Sequence, residues 1–498
     1  MQKFKKLNSS WIANLIAQTS GFLVFIVVAP SLIKLLGKEQ FGALALFILL
    51  PQIIVQLDLG LTTGATRAVA MFKAQNQLEK MSRVLCETIL ALFLVAIVFC
   101  FIFYLTAQYL FHALHLDHVI SNQMHQFNAA ISCWCSLALL NAGLSIPARA
   151  FERFKLLAIV QAISAVVFWL GALLFTFAGK GLLVILWWGS VVAIFTLCIL
   201  IFNNKDAKFT ASNFFQKNTF LKKSQWLLPN FFKFGLGTFV AQASSLITYH
   251  ADKFLVAALV SPSAAGIYTA CNMIASKILV LVAAIAAFVF PRAVRLNIQG
   301  STDELKEVYI HATNACVFAA IVFGIPVIVL AEPFLRLWLK ADYNHEYILV
   351  IVLMAIGYIF ASFSVVASNV SIGIGHSKMP AIFAILGGTG TLLLCIILAP
   401  KYGIIGAAGS AAIGMSQAVI FNWIVSRQFG SAAAKEMMIL LFNVILIGAI
   451  LITSILLFNP LINSWVKLFV AGGLISIFVV LVWLVINIFS KKQNNLVL

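Results

Sequence analysis

The sequence predicts an all-α, polytopic membrane protein of about fourteen transmembrane helices. It would be built as two six-helix lobes related by a pseudo-two-fold axis, with two further C-terminal helices. Three observations predict this. First, the 498-residue chain is 62% hydrophobic and only 10% charged, with a mean hydropathy of +1.05. A soluble domain is nearer half apolar and about a quarter charged. Second, the apolar residues fall in runs of roughly 20 without strict alternation, which selects helices over a lipid-embedded barrel. Third, short matches recur at an offset close to 224 residues, nearly half the chain.

Taken in order, the basic stretch MQKFKK precedes a first run at 11–36. That run is long and lacks a small-residue cleavage site, so it reads as a retained span and not a signal peptide. The second run, 41–67, opens at Gly42 and carries Pro51 near its middle, where the ring is placed to kink the helix. Pro30, near the outer end of the first run, and Pro326, in the ninth, are placed to do the same. Runs at 84–110, 127–150, 156–178 and 181–202 complete an N-lobe, 1–202. The basic stretch NNKDAKFTASNFFQKNTFLKKSQWLLPN, 203–230, reads as a cytoplasmic linker. Runs at 231–260, 263–291, 310–331, 346–371, 380–399 and 403–426 form a C-lobe, 231–430. Runs at 437–457 and 466–490 belong to a last segment, 431–498, that ends in a short tail.

Charge fixes the orientation. The chain has 33 Lys+Arg against 15 Asp+Glu, a formal net charge of +18. In a soluble chain that balance would suggest nucleic acid. Here basic residues concentrate on one side, as cytoplasmic loops do, and no nucleic-acid partner is expected. With the N-terminus in the cytoplasm, 24 Lys and Arg fall in inner segments and 7 in outer ones. Both termini are then cytoplasmic, and an even span count follows. The eight cysteines sit almost entirely in apolar runs and read as small packing residues, not as disulfides or a zinc site.

The repeat rests on several matches in order. AQTSG at 17–21 answers AQASS at 241–245, and Arg67-Ala-Val answers Arg292-Ala-Val. KLLAI at 155–159 answers KMPAI at 378–382, GKG at 179–181 resembles PKYG at 400–403, and Gly42 answers Gly266. Six spans is an even number, so both halves enter the membrane in the same direction. The repeat is therefore parallel, with its axis along the membrane normal, and such bundles hold a substrate between them and rock around it.

The stretches LLGKEQFGALAL, LDLGLTTGATR, HADKFLVAALVSPSAAGIYTA, FPRAVR and PKYGIIGAAGSAA carry a resemblance over about residues 1–430. The chain resembles the polysaccharide flippase branch of the superfamily that also contains the multidrug-and-toxin exporters and the lipid II flippases. The likeness is a pattern without an invariant catalytic motif. It implies translocation of an undecaprenyl-diphosphate-linked oligosaccharide from the cytoplasmic to the outer leaflet of the bacterial inner membrane, for O-antigen, capsule or exopolysaccharide assembly. It also implies lipid as surroundings, and a polymerase and chain-length proteins as pathway partners.

Candidate site residues follow from depth. Gln18 and Gln242 align at the centres of spans 1 and 7, and Asn14 lies one helical turn before Gln18 on the same face. They suit either a cavity wall that solvates sugar hydroxyls or helix–helix hydrogen bonding. Lys277 lies past the midplane of span 8, in its inner half, and its repeat counterpart is Ile53. Asp58, in the inner half of span 2, has an apolar counterpart, so one lobe supplies an acid where the other supplies a base. Lys277 is read as a cation facing the diphosphate, with a structural ion pair, to Asp58 among others, as its rival. Arg67, Arg149 and Arg292 stand at cytoplasmic ends of spans 2, 4 and 8. They either snorkel or form a vestibule that collects the diphosphate through bidentate guanidinium forks. Asp252 and Lys253 lie in the outer part of span 7 beside His250. The resemblance implies an outer gate there, and a local salt bridge to another span is the rival. The outer segment HALHLDHVISNQMH carries four histidines and reads as an interfacial loop before it reads as a metal site.

Other functions are disfavoured. No GxxxxGK[ST] stretch is present, so the chain carries no P-loop ATPase, and no cofactor or metal is expected. A membrane oligosaccharide polymerase would need a large outer loop with catalytic residues, and the longest outer loops, 111–126 and 332–345, are short. The chain is therefore read as a non-enzyme. A cation-coupled multidrug exporter of the same superfamily is the alternative. Exporters usually place an acid in span 1, and residues 11–36 contain none.

Overall fold

Inside lipid no water satisfies backbone N–H and C=O groups, so apolar runs fold as helices that bond within themselves. The computed structural model describes residues 2–120, 123–203, 239, 242–243, 246, 249–376, 378–458 and 462–494, and among them regular structure is helical, with no strand. In chain order the helices are α1 (Gln2–Leu36), α2 (Lys38–Phe47), α3 (Leu49–Gln56), α4 (Leu61–Ala74), α5 (Leu78–Ala113), α6 (Asp117–Ile120), α7 (Met124–Leu144), α8 (Ile146–Ala150), α9 (Phe154–Phe177) and α10 (Leu182–Asn203). There follow α11 (Ala251–Leu259), α12 (Pro262–Ala275), α13 (Lys277–Ala286), α14 (Val289–Gln299), α15 (Thr302–Val329), α16 (Ala331–Leu339), α17 (Glu346–Gly373), α18 (Lys378–Gln428), α19 (Ser431–Phe458) and α20 (Trp465–Asn494).

Twelve stretches among the described residues are long and apolar enough to cross a membrane. The chain is a multi-pass membrane protein. The longest helix, α18, has 51 residues and a non-helical Gly403 inside it (φ 58, ψ −140). A straight helix of that length would run about 77 Å at 1.5 Å per residue, far beyond a hydrocarbon core of about 30 Å. It instead doubles back. A Cβ at Gly406 would lie 2.3 Å from the Leu398 carbonyl oxygen, and one at Gly414 would lie 1.8 Å from Thr391 Oγ1. Gly403 is thus the hairpin tip between two spans, in a conformation that only glycine adopts readily. The expected seventh span, 231–260, lies mostly outside the described residues; its described outer part is α11. The expected count of fourteen is not established among the described residues. The linker, 203–230, also lies outside them, apart from Asn203.

The second span departs from the single helix expected over 41–67. It breaks first at Ile48, between α2 and α3. Pro51 lacks an N–H and its ring crowds the carbonyl four residues back, at Phe47, so the expected kink is present there. It breaks again at 57–60, between α3 and α4. The eighth span is likewise three helices, α12, α13 and α14. Pro30 and Pro326, by contrast, lie inside uninterrupted helices. The short outer loop expected at 332–345 contains α16, whose Leu335 and Trp338 are buried.

The contacts divide the chain into two compact units, Met1–Leu246 with Ser261–Gly266, and Ile247–Val260 with Ile267–Leu498. In the first, α1 packs along α9, α7 against α5 and α10, and α4 against α5 and α8. Ala65, Val69, Phe72, Met81, Leu85 and Ile146 form the apolar cluster beneath α4. Ser261–Gly266 joins this unit, and there Gly42 and Gly266, the two glycines that the sequence paired, lie against each other. A Cβ at Gly266 would lie 2.7 Å from Gly42 Cα, and one at Gly42 would lie 1.9 Å from the Pro262 carbonyl oxygen. In the second unit α17 packs against α13, α14, α15 and α18. The Tyr309 hydroxyl donates to the Asn422 carbonyl oxygen at 2.9 Å and Oδ1 at 2.6 Å, fastening α15 to α18.

Candidate functional site

In the first unit the candidate charges gather where the second span breaks. Leu59 and Gly60 both adopt left-handed φ values, 56° and 73°. This turn exposes the amides that open α4, and Asp58 accepts from them. Gly60 N–H donates to Oδ1 at 2.8 Å and Thr62 N–H to Oδ2 at 2.9 Å. The Thr62 hydroxyl donates to the same Oδ2. Asp58 is fully buried. A carboxylate at a helix N-terminus satisfies orphan donors and meets the positive end of the helix dipole. The sequence assigned Asp58 to a cavity wall or to an ion pair with Lys277. The structure commits both its oxygens to the start of α4.

Arg149 is half-buried on α8, within electrostatic range of Asp58. The short α8 packs against α4, which carries Arg67 in an exposed position. Beside them Lys73 Nζ stands 3.6 Å from the centroid of the Phe151 ring, and the Arg153 guanidinium lies 5.7 Å from the same ring. The end of the unit assigned by charge to the cytoplasm therefore presents several cations around aromatic faces. Such cation–π contacts help hold basic groups at a surface. Arg67 and Arg149 were expected here; Lys73, Arg153 and Phe151 were not singled out. Their signal was the MFKA (71–74) and FERFK (151–155) spacing of bases with aromatics, read only as orientation.

Gln18 and Asn14 lie on α1, but their side chains fall outside the described residues, as do Ser244, Ser245 and Thr248. Gln242 is half-buried in this unit, and Ser20 is half-buried on α1.

In the second unit Asp252 and Lys253 are both buried, with side chains 2% and 3% exposed. Neighbours on a helix point about 100° apart and need not meet. Here Lys253 Nζ curls back to Asp252 Oδ1 at 3.0 Å and to the Tyr249 carbonyl oxygen at 2.5 Å. Tyr268, on α12, donates its hydroxyl to Asp252 Oδ2 at 2.7 Å. A few residues on, Asn272 donates through Nδ2 to the Tyr358 hydroxyl on α17 at 3.1 Å. A buried charge pair is tolerated when its remaining lone pairs and protons are satisfied, and Tyr268 and the Tyr249 carbonyl do so. The sequence weighed a gate against a salt bridge to another span; in the structure the two neighbours pair with each other, and the tie to another helix is the Tyr268 hydroxyl. Sequence reasoning missed Tyr268, Asn272 and Tyr358. Tyrosines in apolar runs are the signal, because a buried hydroxyl needs a partner.

Lys277 is half-buried and opens α13, just past the break at Ser276, whose amide bonds the Asn272 carbonyl at 2.8 Å. Arg292 is exposed on α14, beside the buried Ala293. On the outer segment His112 Nδ1 meets Asp117 Oδ2 at 2.9 Å in an exposed pair. Among the described residues no three His, Cys, Asp or Glu side chains come together as metal ligands.

Two broken spans, charges at their breaks and a helical membrane body can now be set beside known proteins. Residues 7–297 match the model of the family described as polysaccharide biosynthesis protein, over more than half of the chain. The chain belongs to the polysaccharide biosynthesis protein family. Within reach of that family, a Shigella flexneri protein that bears an assignment as an O-antigen transporter is 23% identical over 434 residues, covering 84% of this chain and 97% of its own. An uncharacterised membrane protein of Methanocaldococcus jannaschii is 25% identical over 255 residues, half of this chain and 49% of its own. Among solved structures, the lipid II flippase MurJ in an inward closed conformation superposes with a TM-score of 0.73 at 16% identity, over 97% of this chain and 98% of that one. An inward-facing multidrug transporter of the MATE family superposes with a TM-score of 0.71 at 14% identity, over 85% and 99%. At such identities these two establish the fold. This family member has the polytopic helical fold of MurJ and the MATE transporters.

Proposed function

We propose that this chain flips a lipid-diphosphate-linked oligosaccharide repeat unit across the bacterial inner membrane by alternating access, supplying O-antigen, capsule or exopolysaccharide assembly. Membership of the polysaccharide biosynthesis family carries the reading, and the likeness to an O-antigen transporter along 97% of that protein's length supports it. In this reading the chain performs no covalent chemistry. Both termini are cytoplasmic, and a polymerase and chain-length proteins act on the product. The two repeats, 1–202 and 231–430, act as lobes joined by the basic linker at 203–230.

The site residues take these roles. Arg67, Arg149 and Arg292 collect the diphosphate on the cytoplasmic side, where a guanidinium offers two parallel donors to phosphate oxygens. Lys277 receives it deeper, as a point charge on a flexible stem. Asn14, Gln18 and Gln242 offer amides to sugar hydroxyls. Asp58 shapes the break in span 2 that presents the α4 cations, so its service to the substrate is indirect. Asp252 and Lys253 hold α11 to α12, and any gating passes through that packing.

A drug-exporting role is the second reading, favoured by the MATE superposition. It is the weaker one, because residues 11–36 hold no acid to bind a coupling cation. The discriminating experiment is complementation of an O-antigen flippase null strain. Restored surface O-antigen supports the proposal. Resistance to cationic dyes without restored O-antigen supports the exporter.

A further inference from the structure

Beyond the residues of the family match, α18 runs into α19 through Gly430, in the left-handed region at φ 103. The junction leaves a cavity of about 710 Å³ in the second unit. Its lining is ordered by polarity. Trp423 and Arg427, one turn apart on α18, stack with the guanidinium carbon 3.9 Å from the indole centroid. On α19 Ser431 and Ala434 line it at the start of the helix, followed by Lys435, Met438, Ile439 and Phe442; the last four are spaced i, i+3, i+4 and i+7, so they share one face. Both cations sit near the helix ends. The apolar face runs from Lys435 to Phe442 over about 10 Å, at 1.5 Å per residue. Met438 and Phe442 are 59% and 63% exposed, so the apolar wall is uncovered among the described residues.

Neither Arg427 nor Lys435 makes an ion pair among the described residues, and Glu436 does not line the cavity. Two unneutralised cations and an indole at one end, and an apolar wall at the other, complement an amphiphile whose anionic head is followed by hydrocarbon. A soluble anion would leave the apolar face unused. A zwitterionic lipid would bring its own cation to Arg427 and Lys435.

We propose that this cavity binds an anionic phospholipid of the leaflet that faces the basic loops, its phosphate on Arg427 and Lys435 and one acyl chain along Met438, Ile439 and Phe442. The lipid seats α19 against the end of α18.

The test is native mass spectrometry of the full-length protein in detergent, titrated with phosphatidylglycerol or phosphatidylcholine. The wild type should retain phosphatidylglycerol preferentially. Arg427→Gln with Lys435→Gln should lower that retention roughly tenfold or more, the scale expected for two cations near a headgroup. Lys155→Gln with Lys306→Gln, equal in charge and remote in sequence, should leave it unchanged. Phe442→Ser should weaken it without altering headgroup preference. Equal retention by the Arg427/Lys435 variant and the control overturns the proposal. So does displacement of the lipid by millimolar inorganic phosphate, which would make the site one for a free anion. Preferential capture of undecaprenyl phosphate over phosphatidylglycerol also overturns it, because the pocket would then serve the carrier lipid. If the double variant does not purify as a monodisperse protein, Lys435→Gln alone must show the smaller loss.

Discussion

Replacing Asp58 with alanine should destabilise the first unit before it affects anything a substrate touches. The carboxylate accepts from Gly60 N–H, Thr62 N–H and the Thr62 hydroxyl, in a fully buried setting. Removing an N-cap acceptor costs about 1–2 kcal/mol. Hydrogen bonds to a charged group contribute about 1.5–3 kcal/mol each, and a donor stranded away from water costs its desolvation. The turn also holds Leu59 at φ 56, a conformation that costs about 1–3 kcal/mol without support. These terms overlap, and together they predict a loss of about 3–5 kcal/mol for Asp58→Ala. Asp58→Asn keeps one acceptor but turns an NH₂ toward a donor, so it should lose about half as much. The assay is thermal unfolding of the detergent-purified protein, read by tryptophan fluorescence, alongside surface O-antigen in a flippase-null strain. Both readouts should fall together, with Asn between wild type and Ala. An alanine variant with wild-type thermal stability and no transport would refute the argument and return Asp58 to the cavity wall.

Three further outcomes follow from the same reasoning. Lys277→Ala should abolish O-antigen display while leaving the protein folded in the membrane; undiminished display would end its role as the phosphate-facing cation. Within the buried pair, Asp252→Ala should cost about 3–5 kcal/mol because it strands Lys253. Asp252→Leu with Lys253→Met should recover most of that stability, and a double variant as unstable as the single would show that the charges themselves are needed. Gly42→Ala places a methyl group 1.9 Å from the Pro262 carbonyl oxygen. It should destabilise by roughly 1–3 kcal/mol and impair display, whereas Gly181→Ala, which meets nothing within 4 Å, should do neither.

The helical membrane body was legible because it is dictated by composition: long apolar runs have one way to satisfy their backbones in lipid. The expected repeat rests on matches such as Gly42 and Gly266 that hold their order. The structure gives that pair a physical meaning, since two glycines allow backbones to meet where any side chain would intrude. What hydropathy could not convey is where a span breaks. The 41–67 run is mostly apolar, and Pro51, Gln52, Gln56 and the LDLG sequence are what mark its interruptions. Asp58 was therefore read as a charge at depth, when Gly60 and Thr62 just after it spell a cap. Asp252 and Lys253 were read as a gate or as a salt bridge to another span; that they pair with each other depends on the Lys253 side chain curling back and on Tyr268, which lies on another helix. Arg427 and Lys435 were counted only toward orientation; that Trp423 and Phe442 join them around one cavity depends on the turn at Gly430.

The most direct test of the central claim uses the purified protein in liposomes loaded with a fluorescent undecaprenyl-diphosphate oligosaccharide in both leaflets. A membrane-impermeant quencher bleaches the outer leaflet and then reports each molecule that crosses. The proposed function predicts that wild-type protein carries the protected pool to the quencher and that Lys277→Ala leaves it protected. Protection unchanged by wild-type protein, in vesicles where the same preparation moves a cationic dye, would contradict the flippase reading and establish an exporter.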